Sequence, residues 1–472
     1  MQKAAIKPKG FSFSKKQIVG LVIGVAAGVA MYLAPIGGIE PAAQTQLAIT
    51  LLALAFWACG VLPAPVTGAI YMALILLLGA SDAPTVFSGW TNPGGSLWLI
   101  IAAFLLAAGV EGTGLARRIA YAISSLKFIK DFRTLIVGVA LMELVFALII
   151  PSVFARTFMI LVVVQELCKA IGINERDTKV LGLACFALAI PTMIVFLTAE
   201  PALNSVVVSF TGMEISWVGW FVQFGIPQLF FLVLMAALLM VVFKPTGEVK
   251  IDSMVCREKL AEMGGLSKKE AMMVAWLAIM IVFWLTCSLF GISLAWGTLF
   301  LVCAMFCPGI NVLDGRALGS IPAGTLIFVT CTMAIGSVGA ATGMNEWLAN
   351  LILPSSFPSS IFLIVLFIAF LSMAVHLIVG SVMATVVVVL PIMLAFNSQM
   401  GFGIESAAIV FISFQVLAGH FLLSMHQAPI ATGMEKAGFT DKEVLRLGIP
   451  LTVAIFIQEL VLVGWLFVIG LL

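Results

Sequence analysis

Charge is scarce in this chain of 472 residues: Asp, Glu, Lys and Arg together make up 10% of it, against 62% apolar residues. With a mean hydropathy of +1.20, a water-soluble core is excluded, since one of this length would expose far more charge. The chain reads as a polytopic membrane protein. Its net charge of +2 says nothing of nucleic acid, because the basic residues cluster only in short loops. Paired cysteines are missing as well. The eight Cys are scattered singly, mostly inside apolar runs (Cys59, Cys185, Cys287, Cys303, Cys331). No CxxC or Cys/His metal spacing occurs, so they read as small packing residues. The glycines of "GGSLWLIIAAF" are not followed by Lys-Ser/Thr, so a phosphate loop is absent, and so is the dinucleotide pattern. Histidine is rare, with three in all. His420 and His426 lie about 240° apart on a helical wheel and do not make a two-histidine metal face, and His376 reads as a packing residue. Finally, the basic start "MQKAAIKPKGFSFSKK" lacks a small-residue cleavage site. The apolar stretch after it, "QIVGLVIGVAAGVAMYLA", is expected to remain as a first transmembrane helix.

What the chain has in abundance is apolar runs. A span needs about 20 apolar residues with every backbone group bonded inside its own helix. Candidate runs near 134–150 and 155–168, and near 361–378 and 382–396, are too short to cross singly and read as helical hairpins that enter and turn back. Lys and Arg concentrate at the N-terminus, in "ARRIAYAISSLKFIKDFR" (116–133), around Lys169–Lys179, in the loop 244–270 and at 435–446. The positive-inside rule makes these clusters cytoplasmic. The bookkeeping closes if hairpin 134–168 enters from the cytoplasm, hairpin 361–397 enters from outside, the N-terminus is cytoplasmic and the C-terminus external. The expected fold is an all-α polytopic membrane protein, with about 11 transmembrane helices plus two re-entrant hairpins in inverted repeats. Its expected parts are scaffold helices in 1–94, a first repeat 95–243, a cytoplasmic linker 244–270, further scaffold helices 271–320 and a second repeat 321–472.

The interruptions carry the functional signal. "LIIPSVFARTF" (148–158) and "LIVGSVMATVV" (377–387) share one pattern: an apolar run, Pro or Gly, Ser-Val, a bulky residue, Ala. A shift of 229 superposes Ser152 on Ser381, and a shift of 228 superposes Pro201 of "LTAEPALN" on Pro429 of "SMHQAPIATG". Breaks of this kind survive in lipid only where they line a protein cavity. They make two symmetry-related pairs, one hairpin tip facing one broken helix in each half. Helix N-termini after the tips suit an anion, and carbonyls at the broken ends suit a small cation such as Na⁺.

The candidate anion contacts are therefore Ser152, Val153, Phe154, Arg156, Ser381, Val382, Met383, Thr385 and Pro429. Arg156 is placed to take a carboxylate in a fork; its other reading is an Arg reaching to the cytoplasm. Candidate cation contacts are Ser152, Thr198, Glu200, Asn204, Ser381, His426 and Gln427, with Na⁺ at the hairpin tips. Glu200 is a candidate because ionisable residues at membrane depth are seldom idle; it could hold a proton, a cation or a basic neighbour. Glu143, in "ALMELVFAL", reads equally as a structural hydrogen-bonding residue.

With these residues in view, the chain resembles the divalent anion/sodium symporter family over nearly its whole length. The likeness is strongest in "IPSVFART", "FLTAEPALNSVVVSFTGMEISWVGWF", "REKLAEMGGLSKKEAMM" and "GSVMATVVVVLPIMLA". In that family the tips carry Ser-Asn-Thr. Here Ser152 and Ser381 keep the Ser, Val153 and Val382 stand for Asn, and Phe154 and Met383 stand for Thr. The family's "TGTAANP" break is "TAEPALN" here. The resemblance implies a secondary active transporter of a dicarboxylate-like or larger, partly apolar organic anion. It implies Na⁺ as coupling ion and no other cofactor, a homodimer in an inner or plasma membrane, and an elevator motion of the hairpin-bearing domain. Exchange of one anion for another, or proton coupling through Glu200, are alternatives. An intramembrane enzyme or a passive channel is disfavoured: no recognised catalytic pair is present, and a channel leaves the broken repeats unexplained.

Overall fold

The computed structural model describes residues 14–91, 95–247, 249–251, 254–352 and 356–472. Most of the basic N-terminal segment lies outside the described residues. Every regular element among those described is helical.

The first part of the chain forms α1 (Lys15–Leu33), α2 (Pro41–Cys59), α3 (Ala64–Leu77) and two single turns, α4 (Ala83–Val86) and α5 (Ser88–Thr91). The first repeat then runs α6 (Ser96–Thr113), α7 (Leu115–Ser124), α8 (Phe132–Ile149), α9 (Val153–Ile171), α10 (Glu175–Thr192), α11 (Pro201–Thr211), α12 (Trp217–Trp220) and α13 (Ile226–Val242). A π-turn, Phe221–Gly225, joins the last two. After the linker helix α14 (Met254–Glu262) come α15 (Lys268–Thr286) and α16 (Leu294–Ala304). The second repeat is α17 (Ala323–Thr342), α18 (Met344–Ile352), α19 (Ile361–Val379), α20 (Val382–Met400), α21 (Ser406–Gly419), α22 (Ala428–Ala437) and α23 (Asp441–Val468). Among the described residues ten helices are long and apolar enough to cross a bilayer, and four shorter apolar ones accompany them; the ten include the hairpin arms α8, α19 and α20, so these runs are longer than the sequence suggests and it is the breaks at the tips that mark them as hairpins.

Local chemistry sets the boundaries. Asp131, Asn174 and Ser267 each accept a backbone N–H from three residues on, the N-cap arrangement. Pro201 and Pro429 sit in the first turns of α11 and α22, where a missing N–H leaves no bond unmade. The shift of 229 read from the tips holds for whole helices: Val153–Ile171 falls on Val382–Met400 at both ends, and Leu115 on Met344. The two halves interlock, since α6 of the first packs on α16 while α17 of the second packs on α3.

The linker is more than a tether. Helix α14 packs on α7 and α9. Arg118 of α7 forms an ion pair with Glu270 at 2.8 Å and donates to the carbonyls of Met263, Gly264 and Gly265.

Candidate functional site

Both hairpins are interrupted where the sequence places the breaks, and each tip meets the broken helix of its own repeat. At the first tip, α8 ends at Ile149, and Pro151 contributes no N–H to continue it. Ser152 is the N-cap of α9, its Oγ accepting the Ala155 N–H at 3.4 Å. The Val153 N–H donates to Glu200 Oε2 at 2.9 Å. A carboxylate at a helix N-terminus offsets the partial positive charge there, so the chain's own Glu200 stands where the sequence reading placed a substrate anion. Arg156 is also drawn inward. It is fully buried, pairs with buried Glu143 at 3.1 Å and donates through Nη1 to the Ala199 carbonyl at 2.7 Å; Thr157 donates to the same Glu143 at 2.9 Å. The side chain therefore does not reach to the cytoplasm: Nε and Nη1 are engaged within the protein, and Nη2 is buried without a partner. The guanidinium instead braces the two hairpin arms against the first break.

The break between α10 and α11 is lined by carbonyls whose helical partners are gone, and side chains supply donors. The Asn204 amide donates to Met193, Phe196 and Leu197 (3.0, 3.1 and 3.2 Å), and Trp220 donates to Ile194 at 3.1 Å. Thr198 accepts from the indole of Trp217 at 3.0 Å. In the second break Gln427 does the work of Asn204, donating to Leu417, Ala418 and His420 (3.4, 2.8 and 3.2 Å). The ring of bare carbonyls expected around a cation is thus already served by protein donors. Each carbonyl retains a second lone pair, and Asn204 Oδ1 is buried with no partner.

A glycine closes on each break. A Cβ on Gly225 would lie 2.2 Å from the Val195 carbonyl oxygen, and one on Gly448 2.5 Å from that of Phe421. Only a residue without a side chain allows these helices to approach so closely.

The second tip is built differently. Gly380 closes α19 in the left-handed region, at φ 74°. Ser381 is exposed, and its side chain makes no cap bond. Val382 and Met383 are half-buried, and Thr385 is buried and donates to the Ser381 carbonyl at 2.7 Å. Ser381 and Ala384 border a cavity of about 250 Å³ reaching Trp57 and Phe328. At the first tip, by contrast, Ser152 and Val153 are buried and Phe154 is half-buried against Phe158. A larger cavity, about 400 Å³, lies beside α11 and the α15–α16 corner, lined in part by Ser96, Ser205 and Ser288; none of the tip residues lines it.

All three histidines converge at the second junction. The His376 ring lies 5.6 Å from that of His426 and 6.4 Å from that of His420. His376 Nε2 meets the His420 carbonyl at 3.2 Å, while His426 Nδ1 accepts from the N–H groups of Leu422 and Leu423. Residues 420–427 are not α-helical, so the wheel separation of His420 and His426 does not apply. Even so, the described residues contain no His/Cys/Asp/Glu group fit to hold a metal. Pro429 is buried in the first turn of α22.

Sequence reasoning missed a glutamine seam between α13, α21 and α23. Gln228 donates to Gln415 at 2.6 Å, and Gln458 donates to the Pro227 carbonyl at 3.0 Å. Polar side chains inside otherwise apolar spans were the available signal.

The model for the sodium:sulfate symporter transmembrane region matches residues 15–472. The chain is 26% identical to dicarboxylate transporter 1 of Arabidopsis thaliana chloroplasts over 365 residues, which are 74% of this chain and 62% of that protein. It is 24% identical to a citrate/succinate antiporter of Escherichia coli, over 78% of each. The solved YdaH transporter of Alcanivorax borkumensis superposes with a TM-score of 0.47 at 13% identity, covering 89% of this chain and 97% of that one, a likeness too weak to assign a shared fold. The match from residue 15 to the last residue makes this chain a member of the sodium:sulfate symporter family of membrane transporters.

Proposed function

We propose that the protein is a secondary active transporter that moves an organic anion, dicarboxylate-like or larger and partly apolar, with Na⁺ as the coupling ion. The observation that carries this reading is the second tip: an exposed, uncapped Ser381, flanked by half-buried Val382 and Met383, opening on a cavity. Free amides in the first turn of α20 suit a carboxylate, and the apolar neighbours suit a hydrocarbon body. The relatives, a dicarboxylate transporter and a citrate/succinate antiporter, support the substrate class. Na⁺ is assigned to the junctions, with Asn204 Oδ1 as a free buried acceptor and Ser152, Thr198, Ser381, His426 and Gln427 as the remaining polar groups. Cation binding that orders a tip raises its affinity for the anion by linkage. We assign the protein to an inner or plasma membrane as a homodimer, N-terminus cytoplasmic and C-terminus external, working by an elevator motion.

Two alternatives stay attached to particular observations. The antiporter relative favours exchange of one anion for another, and Glu200 at the first tip offers a proton carrier in place of Na⁺. The test is uptake of labelled malate, succinate, citrate or sulfate into proteoliposomes under Na⁺, K⁺ or acid-pH gradients, with counterflow into preloaded vesicles. Ser381→Phe and Ser152→Phe, if normally expressed, should abolish uptake; wild-type rates in both variants would refute the site. Uptake that needs internal anion and ignores Na⁺ would establish exchange.

A further inference from the structure

We propose that Glu459 carries a proton, held on the buried face of α23 one residue along the chain from the glutamine seam between α13, α21 and α23. Glu459 is 2% exposed, and neither of its carboxyl oxygens has a hydrogen-bond partner. It lies on the buried face of α23 with Ile455, Gln458 and Leu462. That face meets the amides described above: Gln228 and Gln458 both donate to Gln415 Oε1, at 2.6 and 3.4 Å. Gln228 Oε1 and Gln458 Oε1 are left as buried acceptors without a donor, and Gln415 Nε2 as a donor without an acceptor. None of these amides donates to Glu459, so an ionised carboxylate there would go unpaired.

Among the described residues no cation pairs with Glu459, and the charged groups of its own helix, Asp441, Lys442, Glu443 and Arg446, lie about three or more turns away. Helices α13 and α21 and the turn Phe221–Gly225 contain no Asp, Glu, His, Lys or Arg. Helix α10, also packed on α23, carries Glu175, Arg176, Asp177 and Lys179 only at its N-terminal end, and Cys185 within. An isolated ionised carboxylate in such surroundings is strongly disfavoured, and the group neutralises instead. A metal cation needs several oxygens arranged around it, whereas a proton needs none and converts Glu459 into a donor.

The test does not depend on transport, so it stands or falls apart from the proposed function. Wild type, Glu459→Gln and, should that variant fold poorly, Glu459→Met are purified in detergent. Their infrared spectra are compared at neutral pH, and their melting temperatures from acid to alkaline buffer. The wild type should show a protonated-carboxyl C=O stretch that both variants lose. If the folded state holds a proton that the unfolded state releases, stability falls as pH rises. The wild type should then match Glu459→Gln in acid and drop below it in alkali. An unchanged infrared spectrum, or a melting difference independent of pH, overturns the proposal. Stabilisation of the wild type but not Glu459→Gln by NaCl over choline chloride also overturns it, by showing a metal cation in the proton's place.

Discussion

Replacing Arg156 with Met separates the two roles open to this residue, brace and ligand. Glu143 and Arg156 are both fully buried and 3.1 Å apart, and the guanidinium also holds the Ala199 carbonyl across the break. Arg156→Met leaves Glu143 in the core with only the hydroxyls of Thr157 and Thr192 beside it. Removing one member of a buried pair typically destabilises by about 3–5 kcal/mol, and the structure puts this pair at the upper end, since the Ala199 carbonyl loses its donor too. Glu143→Met combined with Arg156→Met should recover most of the loss, because an apolar replacement of both partners is often neutral. Unfolding curves in mild detergent for the wild type, both single variants and the double variant give the coupling directly. If Arg156→Met stays within about 0.5 kcal/mol of wild type, the range of an ordinary surface change, while anion binding disappears, the brace is wrong and Arg156 is a ligand.

Other consequences follow from the same contacts. Asn204→Leu and Gln427→Leu each strip the donors from a broken helix and should destabilise by about 1–3 kcal/mol in the same unfolding assay. Gly225→Ala and Gly448→Ala push a methyl into a backbone oxygen and should lower stability by about 1–3 kcal/mol, while Gly464→Ala, with open space around it, should leave the melting temperature unchanged or raised. Asp131 caps α8 through Thr134, and these hydrogen bonds hold its carboxyl below the usual value. A lowered value means its contribution is present above the ordinary carboxylate range and fades as pH falls through it, so the melting gap between wild type and Asp131→Ala, roughly 0.5–1 kcal/mol, should close in acid. Arg118→Ala releases the carbonyls of residues 263–265 and should speed proteolytic cleavage of the linker.

The positions of the interruptions were legible in the sequence because each is a local event. Pro151 or Gly380 in an apolar run has few meanings in lipid, and a shift of 229 is visible in text. What the side chains at those positions hold was not legible. Arg156 finds Glu143 across a hairpin, and Glu200 finds Val153 from another helix; nothing in the order of letters distinguishes such a partner from a solute. Likewise Asn204 and Gln427 stand at unmatched places in the repeat, one inside α11 and one just before α22, so alignment by shift does not reveal that they serve the same need. The convergence of the three histidines is hidden for a related reason: the wheel separation of His420 and His426 assumes a helix that residues 420–427 do not form.

The amides of Asn204 and Gln427 spare each break from depending on solvent. A broken helix in water can rely on passing solvent to quench its loose ends, but one surrounded by hydrocarbon has to bring its own. By fastening three carbonyls to one side chain at each gap, the protein quenches much of each break from an adjoining turn of the same chain segment. Each gap thereby carries its hydrogen-bond donor as part of the fold.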